Sequence, residues 1–151
     1  MWSATDMAEP TLFQKILSGE LPGNIVARGD SWGAFLDVFP RSEGHTLVVP
    51  SNPVQRISDL SMHELGELFE GVKRTQAILG AYFESTDFTV VVHDGPLAGQ
   101  EIPHVHVHII PRLEGDGGKA LPAMFPESNP QSPPDFIGLS ELCNRIKEAS
   151  I

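Results

Sequence analysis

Three histidines stand at every second position in the run HVHVHII, residues 104–110. Successive side chains on a β-strand point to opposite faces, so this spacing predicts that His104, His106 and His108 share one face of a strand. The apolar residues between them then fill the other face. Imidazole can ligate a metal, transfer a proton or, in its neutral form, attack an electrophile.

The residues alone leave three interpretations of this face open. Structural histidines are common singly, but three on one face would each need a buried hydrogen-bond partner. A His-x-His pair on a strand supplies two zinc ligands, although three consecutive same-face positions rarely converge on one ion. In the third interpretation one imidazole acts as a nucleophile, and its neighbours orient it or transfer protons.

The segments around this run predict an α+β domain with a five-stranded antiparallel sheet, one long helix and a short N-terminal helix. Residues 11–20 have apolar side chains at helical spacing. The long helix spans 61–83, begins with a capping box and carries an apolar stripe that includes Phe69. Strands are predicted in 24–40, which holds two, and in 44–50, 87–94 and 104–112.

The predicted domain organisation is simple. Residues 1–10 are expected to be a flexible tail, and 11–151 a single domain with enough chain to bury a core. Within it, 113–135 is rich in Gly and Pro and predicts a long loop, and 138–149 predicts a terminal helix.

Composition excludes several classes of protein. The net charge is -10 and no basic cluster occurs, which argues against nucleic-acid binding. No apolar run reaches the roughly 20 residues of a membrane span, and no secretory signal precedes the first helix. The single cysteine, Cys143, excludes an intramolecular disulfide and a cysteine zinc cluster, and it favours the reducing cytoplasm.

The run HVHVHII matches the signature His-φ-His-φ-His-φ-φ, where φ is apolar, and the chain thereby resembles the histidine triad superfamily of nucleotide hydrolases and transferases. DGPLAGQEIPHVHVHIIPR is similar to the fragile-histidine-triad branch. TLFQKILSGELPGNIV, AFLDVFP and GHTLVVP resemble the histidine triad nucleotide-binding branch. The similarity covers about residues 11–112. It implies a homodimer in which two five-stranded sheets join, and catalysis without a metal or other cofactor.

The resemblance also implies roles for single residues. His106 becomes the nucleophile that attacks the α-phosphorus of a purine nucleotide, giving a nucleotidyl-imidazole that water hydrolyses. His108 is expected to handle protons on the leaving-group side, and His104 to hold the ring of the nucleophile. Gln100 is expected to donate from its amide to the leaving or bridging atom. His45 is expected close to the triad.

Further residues are implied in nucleotide binding. Asp37 matches the acid that accepts hydrogen bonds from the ribose hydroxyls. Gly95 and Gly99 are expected to turn backbone N–H groups towards the phosphate. His93 stands where relatives carry Asn or Gln, and Glu101 where two branches carry Ser or Thr. The apolar clamp around the base is expected from Leu12, Phe13, Ile16, Phe35 and Val38.

The chain departs from its zinc-binding relatives, in which two cysteines and a later histidine join a triad histidine as ligands. Those positions hold Thr11, Gln14 and Pro53, so we predict no structural zinc.

The favoured function is hydrolysis of adenosine 5'-phosphoramidates or similar AMP conjugates. DGPLAGQ and PSNPVQRISDL favour a second hypothesis, hydrolysis of dinucleoside polyphosphates. In a third, the chain is a purine-nucleotide sensor whose partners dock on the 113–135 loop and the terminal segment.

Overall fold

The computed structural model describes residues 9–128 and 133–149. These residues belong to two compact units, one ending at Gly118 and the other beginning at Lys119. Most of the predicted tail, residues 1–8, lies outside the described residues, and the single domain over 11–151 stays a prediction. In the part of the chain that the structure describes, no helix combines the length and apolar character that crossing a membrane requires.

The first unit is built on one antiparallel sheet, which confirms the predicted fold class. Its strand order is β1-β2-β3-β5-β4, so β5 lies inside the sheet and β1 and β4 form its edges. The strands are β1 (Ile25–Arg28), β2 (Trp32–Leu36), β3 (Thr46–Pro50), β4 (Phe88–Val92) and β5 (Val107–Pro111).

Strand β5 is shorter than the sequence predicts, because it begins at Val107 and not at 104. The backbone N–H of His104 donates to the carbonyl of Ile102, and that of Val105 donates to the carbonyl of Val54. These donors are therefore not available to a neighbouring strand, and the first two triad histidines precede the regular ladder.

Two helices of the first unit begin with capping boxes, α1 (Leu12–Ser18) and α2 (Met62–Phe83). In α1, Thr11 accepts a hydrogen bond from the backbone N–H of Gln14, whose side chain accepts one from the backbone of Thr11. Ser61 and Glu64 make the same reciprocal pair at α2, as the sequence predicts. Each pair satisfies two backbone donors that have no partner within the helix.

Helix α2 covers one face of the sheet. The main core lies between them and contains Trp32, Ala34, Val48, Leu60, Leu68, Val72, Leu79, Val105, Val107 and Ile109. The predicted apolar stripe is wrong at Phe69, which is 46% exposed. One residue along a helix turns the side chain by about 100°, so Phe69 lies beside the buried Leu68 and faces a groove next to Val90 on β4.

A smaller apolar cluster lies on the opposite face of the sheet. It consists of Phe13, Phe35, Leu47 and Val49, with Ile16, Leu17, Ile25 and Ile102 packed against it. Helix α1 is short, at 7 residues, and it contributes the buried Phe13. This cluster shares a face of the sheet with the triad histidines, and its Phe13 packs against two of them.

The second unit contains a 3-10 turn at Leu121–Met124 and helix α3 (Phe136–Ala149). The helix begins at Phe136 and not at the predicted 138. The rest of its described chain has little regular structure, in keeping with the predicted loop, whose residues 129–132 are outside the described part. None of the described α3 residues is buried, and Cys143 is an exposed free thiol.

Candidate active site

Five of the six histidines in the chain form one cluster on the α1 side of the sheet. The ring of His108 lies 5.0 Å from that of His106, 5.2 Å from that of His45 and 5.3 Å from that of His93, between centroids. Phe13 packs at 5.4 Å from the ring of His104 and 5.0 Å from that of His106. The apolar residues that alternate with the triad lie in the core under α2, so the predicted division of faces is found.

His106 has one ring nitrogen held and the other left available. Its Nδ1 lies 2.7 Å from the backbone carbonyl oxygen of His104. A carbonyl oxygen can only accept, so Nδ1 carries the hydrogen and the neutral ring has its lone pair on Nε2. Burial lowers the pKa of His106, which keeps the ring neutral at pH 7. A neutral, oriented imidazole with a bare nitrogen is what nucleophilic attack requires.

The sequence predicts that His104 holds the ring of His106. In the structure the contact to that ring comes from the main-chain carbonyl of His104 and not from its side chain. The His104 side chain is completely buried, with Nε2 2.7 Å from the carbonyl oxygen of Pro50. Because that oxygen can only accept, Nε2 carries the hydrogen of the neutral ring. Burial also lowers the pKa of His104.

A chain of hydrogen bonds fixes the hydrogen of His108. The backbone N–H of Arg41 donates to His45 Nδ1 at 3.1 Å, so the hydrogen of the neutral His45 ring is on Nε2. His45 Nε2 lies 2.9 Å from His108 Nδ1, to which it donates, and 3.5 Å from an Asp37 carboxylate oxygen. Asp37 and His45 are therefore both near the triad.

The remaining nitrogen of His108, Nε2, consequently carries a hydrogen. This nitrogen is buried and has no hydrogen-bond partner among the described residues. Burial, together with the neighbouring His106 and His45, lowers the pKa of His108 to about 4. At pH 7 the ring is thus neutral, with an Nε2–H that none of the described residues accepts. A buried donor without a partner is costly, and an acceptor on a ligand would satisfy it.

Gln100 organises the loop before the triad. Its side-chain oxygen accepts from the N–H of Gly95 at 3.1 Å, and its side-chain nitrogen donates to the carbonyl of Gln55 at 2.9 Å. The N–H of Gly99 donates to the carbonyl of Pro96. The prediction that the two glycine N–H groups face a phosphate is therefore wrong in this structure, because closing the loop uses both donors. One hydrogen of the Gln100 amide nitrogen remains for another acceptor.

His93 and Glu101, which replace residue types found in relatives, both influence the triad. The half-buried His93 ring packs edge-on against His108, and Gly99 (φ 98°) lies next to it. A positive charge on His93 lowers the pKa of His106, and the negative charge of the exposed Glu101 raises it. The charge at these two positions therefore acts on the central histidine.

The five apolar residues predicted to clamp a base differ in their exposure. Phe13 and Phe35 are 4% and 2% exposed, with ring centroids 5.5 Å apart, and they belong to the smaller apolar cluster next to the histidines. Ile16 packs against that cluster. Leu12 and Val38 are 44% and 68% exposed, so these two side chains are accessible to a base.

Thr11 is a site residue that sequence reasoning missed. Its hydroxyl oxygen lies 2.7 Å from Nδ1 of His104, while it also caps α1. The sequence suggested only that Thr11 replaces a zinc ligand. The capping pattern formed with Gln14 was the available signal, since it places the hydroxyl at the first turn of α1. The backbone N–H of Arg41, which donates to His45, could not be identified from the sequence, because every residue except proline supplies a backbone N–H.

Three side chains could hold a metal ion: one ligand atom each from Asp37, His45 and His108 lies within 4.8 Å of the others. In this structure His45 Nε2 donates to His108 Nδ1, so an ion bound to both nitrogens would have to break that hydrogen bond. Gln14 and Thr11 at the positions of the lost zinc ligands bond to each other. The absence of a metal stays a prediction.

Comparison with known proteins gives a consistent result. The HIT domain family matches residues 18–115. An uncharacterized HIT-like protein of Methanocaldococcus jannaschii is 44% identical over 70% of this chain and 81% of its own length. Two proteins of Schizosaccharomyces pombe are also similar. Adenosine 5'-monophosphoramidase hnt1 is 32% identical over 90% of this chain and 98% of its own. An asymmetrical bis(5'-nucleosyl)-tetraphosphatase is 42% identical over 55% of this chain and 46% of its own length.

The fold has solved counterparts. The crystal structure of a HIT-family member from Bacillus subtilis superposes with a TM-score of 0.78 at 27% sequence identity, covering 93% of this chain and 96% of that one.

Proposed function

The chain belongs to the HIT family, and we propose that it hydrolyses a purine nucleotide conjugate at the α-phosphate through a covalent nucleotidyl-histidine intermediate. One observation carries the proposal. His106 donates its Nδ1 hydrogen to a main-chain carbonyl, which leaves Nε2 bare, and the neighbouring His108 has an Nε2–H with no partner among the described residues. A nucleophile and a donor for a phosphate oxygen thus lie side by side.

The reaction has two steps. In the first, His106 Nε2 attacks the α-phosphorus, a P–N bond forms, and the bond to the leaving group breaks. In the second, water attacks the same phosphorus and gives up a proton to solvent, the P–N bond breaks, and the neutral imidazole returns with its hydrogen still on Nδ1. Splitting one difficult substitution into two easier ones is the advantage of covalent catalysis.

His108 supports both steps from its Nε2–H. As a neutral donor it stabilises charge on a phosphate oxygen or on the leaving atom. A bound phosphate places negative charge beside the ring, which favours the imidazolium form and raises the pKa of His108 from its value of about 4 in the free protein. To give a proton to the leaving group, an effect of about 10²–10⁴ in rate, the ring must first take up a proton from solvent at Nδ1, and this breaks the hydrogen bond that Nδ1 accepts from His45 Nε2.

We propose adenosine 5'-phosphoramidates as the preferred substrates. The fission yeast monophosphoramidase matches 90% of this chain, whereas the tetraphosphatase matches 55%. Glu101 is exposed and its charge reaches His106. That carboxylate would repel the further phosphates of a polyphosphate leaving group and would tolerate an amine. Hydrolysis of dinucleoside polyphosphates is the second candidate, supported by the similarity of the DGPLAGQ segment.

Parallel kinetics on an AMP–amine conjugate and a diadenosine polyphosphate test this choice. We expect the higher kcat/KM on the conjugate. We expect Glu101→Ser to raise kcat/KM for the polyphosphate relative to that for the conjugate. A higher kcat/KM on the polyphosphate would reverse the assignment. AMP binding without turnover of either compound would leave a nucleotide sensor as the function.

The nucleophile is tested by His106→Ala. This variant should lose on the order of 10⁴-fold or more in kcat while it still binds AMP. The matched control is His63→Ala, because the His63 side chain is 82% exposed on α2 and lies outside the cluster. An active His106→Ala variant would refute the nucleophile assignment.

We also propose a homodimer, joined through β4. This strand is an edge of the sheet, and exposed strand edges pair readily with another chain. Val90 on β4 is 40% exposed, and Phe69 beside it is 46% exposed. Light scattering should give the mass of a dimer, and Val90→Lys should give a monomer.

We also propose that the protein acts in the cytoplasm, because its single cysteine is a free thiol. Fractionation of cells would test this location.

A further inference from the structure

Thr11 connects the first helix to the triad through one hydroxyl group. As the N-cap of α1, its oxygen accepts from the backbone N–H of Gln14 at 3.1 Å. The same oxygen lies 2.7 Å from Nδ1 of His104. A hydroxyl can accept and donate at once, so both contacts can be satisfied together.

The direction of the second hydrogen bond follows from the other side of the ring. His104 Nε2 lies 2.7 Å from the carbonyl oxygen of Pro50, so the hydrogen of the neutral ring is on Nε2. Nδ1 is then an acceptor, and the Thr11 hydroxyl must be its donor. The ring is completely buried, so no water competes for either nitrogen.

The ring is thereby held at both nitrogens, and its own residue holds the nucleophile. The carbonyl oxygen of His104 accepts from His106 Nδ1 at 2.7 Å. The ring and this carbonyl belong to one residue, and because the side chain is completely buried we expect a displaced ring to shift the backbone that carries the carbonyl. Phe13, two residues after Thr11, packs against both imidazoles and fixes the same end of α1.

We propose that Thr11 is a positioning residue: its hydroxyl holds His104 in the Nε2–H tautomer, and so holds the carbonyl that aims His106 Nε2 at the substrate. The proposal rests on the proposed role of His106 as nucleophile. Helix capping and orientation of the nucleophile are then two tasks of one oxygen.

Three substitutions separate the two tasks. Thr11→Val has nearly the same shape but loses both contacts. Thr11→Ser retains the hydroxyl and therefore both. Thr11→Asp remains a strong cap, but a carboxylate can only accept and offers nothing to a bare Nδ1. Ser61→Ala is the matched control, because it removes the equivalent cap from α2, where the cap contacts no histidine.

We expect kcat to fall about 10- to 100-fold in Thr11→Val and in Thr11→Asp, with a much smaller change in KM, because small displacements of a reacting group have effects of this size. Thr11→Ser should retain kcat within about threefold, and Ser61→Ala should leave kcat unchanged. Full activity of Thr11→Asp would reduce the residue to a cap and overturn the proposal. Equal losses in Ser61→Ala and Thr11→Val would do the same.

A spectroscopic measurement needs no turnover. In ¹⁵N-labelled protein at pH 7, His104 should show a protonated Nε2 and a bare Nδ1, and the Nδ1 signal should move in Thr11→Val when its donor is lost. In Thr11→Asp the Nδ1 signal should move in the same way, because the carboxylate supplies no hydrogen to Nδ1. A hydrogen on Nδ1 in the unaltered protein would overturn the proposal. Because this result is independent of His106, it separates failure here from failure of the proposed function.

Discussion

Acid should destabilise this fold through His108. Burial and the neighbouring His106 and His45 hold its pKa at about 4, against an ordinary value of 6.5. As the pH falls below 6.5, the unfolded chain takes up a proton that the folded chain does not. The free energy of unfolding therefore decreases as the pH falls. The contribution of His108 to the free energy of unfolding is fully present above pH 6.5 and is lost as the pH falls from 6.5 to 4.

The size of the loss follows from the difference between the two pKa values. One pKa unit corresponds to about 1.4 kcal/mol, so the whole difference corresponds to roughly 3 kcal/mol. Between pH 7 and pH 5, within the window, the loss from this one ring is about 2 kcal/mol. The pKa values of His45, His104 and His106 are also lowered by burial, and these rings add losses of the same sign.

Urea unfolding at pH 7 and pH 5 measures this loss. Between the two pH values the unaltered protein should lose about 2 kcal/mol more than His108→Asn, a difference of about 1 M urea in midpoint for a slope near 2 kcal/mol/M. Carboxylates titrate in both proteins and cancel in the comparison. The control His63→Asn, at a side chain 82% exposed, should follow the unaltered protein. Parallel pH dependences of His108→Asn and the unaltered protein would refute the reasoning.

Further predictions concern the packing of α2 and the binding and charge of the site. Gly71→Ala should destabilise the protein by about 1–2 kcal/mol in thermal or urea unfolding, because a Cβ there would lie 2.5 Å from a buried indole ring. Gly66→Ala on the same helix meets nothing within 4 Å and should stabilise by up to about 1 kcal/mol. Asp37→Ala should raise KM for a ribonucleotide conjugate more than for its dideoxy analogue, since only the former offers hydroxyl donors. NMR titration should show the pKa of the central triad histidine raised in His93→Asn and lowered in Glu101→Gln.

The alternation of histidine and apolar residues was sufficient to predict which side chains share a face, because that depends only on the period of an extended chain. It was not sufficient to predict where β5 begins. The N–H of Val105 donates to Val54, a residue 51 positions earlier in the chain, and no local pattern reports such a partner. The exposure of Phe69 escaped prediction for a related reason, since helical period identifies a stripe but not its width.

The hydrogens on the site nitrogens were beyond sequence reasoning. The tautomer of His108 depends on a backbone N–H of Arg41 acting through His45, and that of His104 on the carbonyl of Pro50. Gln100 could be recognised by its spacing from the triad, but its two loop contacts arise only when residues 55 and 95 are brought together. A motif identifies which residues belong to the site, whereas the position of the hydrogen on each histidine ring is set by neighbours distant in sequence.

The position of β5 inside the sheet has a consequence for folding accuracy. The strand is paired on both sides, with His108 opposite Leu47 on β3 and opposite Val91 on β4. Sliding it by one residue against either neighbour would exchange its two faces, burying the His108 imidazole under α2 and turning Val107 and Ile109 towards the histidine cluster. Both changes are unfavourable. The arrangement that gives the lowest free energy is thus also the one that assembles the reactive nitrogens, and a misfolded sheet would lose its stability and its chemistry together.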